Sequence, residues 1–180
     1  DCSQSRGLGD VYKRQVTVRD SGLAVDASDA TSLTVDVLDV STTGTLLQGR
    51  SVAGLSLSNV TASISDGGAA TKAIDLPCSG TCHLSTASLA LDNATVHVSG
   101  SGTTGFTEVL LHAINTTRPV LEATGTGTFD ADTMTVLGEG GVLFRDLDTS
   151  IQDMHVDLGQ GEGPAVCLLY TSPSPRDWLQ

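Results

Sequence analysis

Apolar and polar residues alternate in short bursts along this chain: Leu33-Thr34-Val35-Asp36-Val37, Leu55-Ser56-Leu57, Leu89-Ala90-Leu91, Val96-His97-Val98, Met134-Thr135-Val136 and Met154-His155-Val156-Asp157-Leu158. A period of two sends successive side chains to opposite faces of a strand, so each burst predicts a strand with one buried face. No window sustains the 3.6-residue period of an amphipathic helix, and the expected class is all-β.

The bursts recur inside a longer unit. LSLSNVTASISDGG (55–68), LALDNATVHVSGSG (89–102), GTFDADTMTVLGEGG (127–141) and LDTSIQDMHVDLGQG (147–161) share one order: strand, polar bend, second strand, glycine-rich turn. SGLAVDASDATSLTVDV (21–37) is a looser copy, and 106–119 fits none. Units that cannot bury their own apolar side must stack on neighbours. The copies lie about 20 to 40 residues apart, which suits coils that admit loop insertions, so the expected fold is a right-handed parallel β-helix. An antiparallel β-sandwich is the alternative. At roughly 25 residues per coil the repeats make about six coils, a rod on the order of 30 Å long. Leu57, Ile64, Leu91, Val96, Val98, Phe129, Met134, Val136, Met154, Val156 and Leu158 are expected to point inward. Asn59, Asp92, Asn93, Asp130 and Asp148 are expected at bends, where Asn and Asp tolerate left-handed backbone and bond to it locally.

The two ends read differently from the middle. DCSQSRGLGDVYKRQ (1–15) back-translates, with suitable synonymous codons, to a DNA segment whose reverse complement spells CLLYTSPSPRDWLQ (167–180). The pair resembles a translated transposase-type sequencing adapter flanking an insert, so 1–15 and 167–180 are expected to be disordered scars and 16–166 the β-helix fragment.

Setting the flanks aside changes the composition. Five basic residues (Arg19, Arg50, Lys72, Arg118, Arg145) then face eighteen acidic ones, a formal charge of −13, and the only aromatics are Phe106, Phe129 and Phe144. Nucleic acid and anionic membrane are excluded as partners, because either demands a cationic face. The acidic surface is read as a solubility device. No stretch approaches the roughly 20 apolar residues of a membrane-spanning helix.

Cys78 and Cys82, in PCSGTC, are the candidate disulfide, closing a tight loop if the compartment is oxidising. Free thiols and a metal site remain open alternatives; a zinc site would want further ligands, and only His83 lies nearby. No cofactor is expected. His83, His97, His112 and His155 are scattered, with His97 and His155 expected outward on the same face. The pairs Asp130/Asp132 and Asp146/Asp148 have the i, i+2 spacing that lets two carboxylates share a strand face, as in calcium binding or acid–base work. Bends are the preferred reading. Neither G-x-S-x-G nor a phosphate-loop Lys-Ser or Lys-Thr is present. Sequons begin at Asn59, Asn93 and Asn115. No catalytic residue is assigned, and the chain is expected to be non-catalytic.

The units SLALDNATVHVSGSG, EATGTGTFDADTMTVLGEGG and DTSIQDMHVDLGQGEG, over most of 45–166, resemble the passenger regions of Gram-negative autotransporters of the pertactin-like class. The cysteines depart from that pattern. The resemblance implies export to the cell surface or medium, contact with the outer membrane only through a C-terminal barrel, and a structural or adhesive role toward an extracellular protein or glycan surface or toward itself. Coils of a β-helical carbohydrate-active enzyme, a pectin lyase-like polysaccharide lyase or hydrolase, are the alternative.

Overall fold

The computed structural model describes residues 11–13, 16–28, 31–65, 71–159 and 165–169. Within them the chain forms strands β1 (Val11–Lys13), β2 (Val16–Asp26), β3 (Leu33–Val35), β4 (Leu38–Gln48), β5 (Val52–Ile64), β6 (Thr71–Asp92) and β7 (Ala94–Gly100). They continue as β8 (Thr103–Ile114), β9 (Leu121–Gly125), β10 (Thr128–Gly138), β11 (Val142–Arg145), β12 (Asp148–Ile151), β13 (Met154–Asp157) and β14 (Val166–Leu169).

Every pairing is parallel. Together they build a β-solenoid of about six turns, the arrangement of a right-handed parallel β-helix. Parallel neighbours joined by a crossover almost always coil to the right. The antiparallel sandwich is therefore set aside.

Each coil visits three faces. On the first, β1, β3, the start of β5, the middle of β6, the starts of β8 and β10, and β12 lie in register. The second carries the starts of β2 and β4, the later parts of β5, β6, β8 and β10, and β13. The third carries the ends of β2 and β4, the start of β6, β7, β9, β11 and β14. Leu33, Leu55, Cys82, Thr104, Phe129 and Thr149 stand over one another, so successive coils take 22, 27, 22, 25 and 20 residues.

Period-two alternation then fills the interior. On the second face Leu38 and Val40, Val60 and Ala62, Ala87 and Leu89, Val109 and Leu111, and Met134 and Val136 form two buried columns. Phe106, Phe129 and Phe144 stack inside the rod, with ring centroids 5.1 and 5.2 Å apart. Burying one such side chain contributes roughly 1.5–3 kcal/mol. All expected inward residues up to Val136 are buried. Met154, Val156 and Leu158 are half-buried, since no described coil lies over β13 on that face.

Three expectations change. The copy LALDNATVHVSGSG is out of phase with the others: Leu89–Asp92 lies on the second face and Ala94–Gly100 on the third, while Leu55–Ile64 spans the first and second. This phase slip produced the apparent 20-to-40 spread. Residues 106–114, expected outside the repeat, sit in full register between β6 and β10, because Phe106, Val109, Leu111 and Ala113 supply the inward positions. Within the flanks expected to be disordered, Val11–Lys13 pairs with β3, and Cys167–Leu169 continues β14 against β11. Unpaired strand edges at a rod's ends are templates for any short apolar run.

Candidate functional site

The corners carry the unusual backbone. Between first and second faces, Asn59, Thr86, Glu108 and Thr133 each adopt positive φ, of 51°, 48°, 54° and 59°. They align coil upon coil, since residues 58 and 60 pair with 85 and 87, then with 107 and 109. Asn59 Nδ2 donates to the Asp36 carbonyl (3.1 Å), and Thr86 Oγ1 to Glu108 Oε2 (3.2 Å). Between second and third faces Asn93 and Asn115 are also left-handed, and Asn115 Nδ2 donates to Asp92 Oδ1 at 2.7 Å. The expected bends are thus correct at Asn59 and Asn93. Asp92 ends β6, Asp130 lies inside β10 and Asp148 opens β12; the bends near them fall on Asn93, Thr133 and Asp146. All three sequon asparagines occupy left-handed corners. The sequon at Asn59 follows from corner grammar: a bend Asn, an inward Val60, an outward Thr61.

Cys78 and Cys82 form a disulfide, with Cα atoms 6.2 Å apart. Cys78 ends the third-face segment of β6 and Cys82 follows Thr81 at the start of its first-face segment, so the bond crosses the Ser79-Gly80 corner. Both residues face inward, 1% and 0% exposed. The bond takes up both sulfurs, so neither is left as a free thiol or as a thiolate ligand.

A cluster of three charged or polar side chains, Lys72, Asp75 and His97, reaches across coils on the third face. Asp75 and His97 are in register on the outside of the third face. His97 Nδ1 lies 2.8 Å and Lys72 Nζ 3.0 Å from Asp75 Oδ1, and the two nitrogens are 3.2 Å apart. At Nδ1 the ring can donate to the carboxylate or accept from the ammonium, according to its tautomer. Gln48, Asp75, His97 and Glu122 form one outward column. An oriented imidazole can accept a proton, but no serine or cysteine nucleophile among the described residues bonds to it. The cluster ties neighbouring coils together.

The other histidines separate. His83 is outward on the first face, with Thr107 Oγ1 3.4 Å from Nε2, and His112 and His155 are outward on the second. His97 and His155 therefore occupy different faces, contrary to expectation, because the two V-H-V-like bursts belong to different phases of the coil. Asp130 and Asp132 are both exposed on β10, as their spacing requires. Asp146 precedes β12 at positive φ, so it does not share a strand with Asp148. At the end of β2, Asp26 accepts from the Ser28 side chain and from its backbone N–H (2.9 Å), which holds its carboxyl below the ordinary aspartate value. A hollow lined by Val98, Gly100, Phe129 and Leu147 and another lined by Leu57, Ile74, Leu84 and Phe106 each offer about 10 Å³, room for about one water and far below a small-molecule pocket.

Comparison with protein-family models, with curated proteins and with solved structures found no match.

Proposed function

We propose that this chain is a non-catalytic segment of a secreted or surface-displayed rod, of the autotransporter-passenger kind, from a Gram-negative bacterium. The observation that carries the reading is the sealed stack itself. About six turns are consumed in building flat outer faces and corner ridges, and the two hollows each have room for about one water. Such faces suit contact with an extracellular protein or glycan surface. The Cys78–Cys82 disulfide fits an oxidising compartment. The acidic exterior keeps the rod away from nucleic acid and anionic lipid.

The test is an epitope inserted between Thr117 and Arg118, both exposed, in the parent protein expressed in a Gram-negative host. Staining of intact cells, lost on external protease treatment, is the expected outcome. An epitope reached only after lysis, with Cys78 and Cys82 open to thiol reagents, overturns the reading. Turnover of uronic-acid polymers by the parent, abolished by Asp130→Asn or Asp148→Asn, would transfer the segment to a carbohydrate-active enzyme.

A further inference from the structure

The disulfide is enclosed on both sides along the rod axis. Cys78 is in register with Val52 in the coil before and Gly100 in the coil after. Cys82 is likewise in register with Leu55 and Thr104. The Gly102 N–H donates to the Cys78 carbonyl at 3.0 Å, closing the following coil over the corner. Neither cysteine exposes more than 1% of its surface.

Thiol oxidation by exchange passes through a mixed disulfide. One cysteine thiolate attacks the disulfide of an oxidant, expels one oxidant thiolate and becomes covalently joined to the other half. The second cysteine thiolate then attacks the protein sulfur of that bond and expels the remaining oxidant thiolate. Two cysteine thiols are oxidised, one oxidant disulfide is reduced to two thiols, and the two protons given up by the cysteines end on the oxidant's sulfurs. The intermediate carries the oxidant on the sulfur. An interior packed like an organic crystal has no room for that group.

We infer that the nascent chain is a substrate of a disulfide-bearing oxidant, a dithiol–disulfide oxidoreductase or a small-molecule disulfide, before the coil beginning at Thr103 closes over the third-to-first corner. Once that coil docks, the bond is sealed against exchange in either direction. The inference concerns the order of oxidation and coil closure, and it stands whether or not the rod is displayed on a cell.

Purified oxidised protein is incubated with dithiothreitol in native buffer and in 6 M guanidinium, then alkylated and weighed. The expected result is an intact bond after hours in native buffer and complete reduction within minutes in guanidinium. Leu111→Ala, which loosens the buried second face, raises the native-buffer rate on the order of 100-fold if the sulfurs are reached through unfolding. Native-buffer reduction within tenfold of the guanidinium rate, or a rate indifferent to Leu111→Ala, overturns the inference.

Discussion

Two corners of the same coil treat side chains in opposite ways. At the first-to-second corner Asn, Thr, Glu and Thr occupy one backbone conformation, with φ between 48° and 59°. At the third-to-first corner Gly100 and Gly125 hold φ of 118° and 128°. The former is merely uncomfortable for a residue with a Cβ, costing about 1–2 kcal/mol, and the exposed side chains find room outside. The latter has no room. A Cβ on Gly100 would lie 2.1 Å from the Cys78 carbonyl oxygen, and one on Gly125 would lie 2.2 Å from that of Gly100. Those carbonyls accept N–H bonds from the next coil, Gly102 at 3.0 Å and Gly127 at 3.2 Å. The atom that joins coil to coil stands where a side chain would be. One corner is therefore restricted by angle and tolerant of chemistry, the other by space and closed to it.

The sharpest way to break this contrast is Gly125→Ala. Strain and overlap together are expected to lower stability on the order of 4 kcal/mol in a urea titration. A loss under about 1 kcal/mol would mean that the corner has space after all. The double change Cys78→Ala with Cys82→Ala comes next, about 2 kcal/mol for so short a loop, read as a lower urea midpoint. Thr133→Asn works in the other direction: a β-branched residue is ill suited to φ of 59°, and Asn, already native at position 59, should raise stability by about 1 kcal/mol. An unchanged midpoint would deny that strain is stored there.

Asp26 gives the smallest effect. Its folded value lies below the unfolded one, so its stabilisation is present above the ordinary aspartate range and fades as pH falls through the folded value. Thermal melts between about pH 7 and pH 3 should lose slightly less stability on acidification in Asp26→Asn than in the parent. Parallel melting curves for the two proteins would refute it.

Strands, inward residues and solenoid stacking were legible because burial enforces a period of two, and that period survives any assignment of coil phase. Phase itself was not legible. Strand, left-handed Asn and second strand describe both the corner at Asn59 and the corner at Asn93, so the local pattern cannot say which face follows. Thr86, Glu108 and Thr133 hid the remaining first-to-second corners, since neighbouring coils override their local preferences. Glu108 at a bend also concealed the regular coil 106–114. The disulfide could be read from spacing because it joins near neighbours in sequence. The Lys72–Asp75–His97 cluster could not, because it depends on a 22-residue step between Asp75 and His97 that only the coil register supplies.

The unequal coil lengths have a consequence for how such a rod changes over time. Between second and third faces the chain uses one residue, Asn93, in one coil, three from Glu139 to Gly141 in another, and six from Asn115 to Val120 in a third. The flanking strands nevertheless keep their pairing. Length variation gathers along a single longitudinal seam. Insertions or deletions there alter what protrudes without disturbing alignment elsewhere, so a lineage can diversify that margin freely while its interior columns stay fixed.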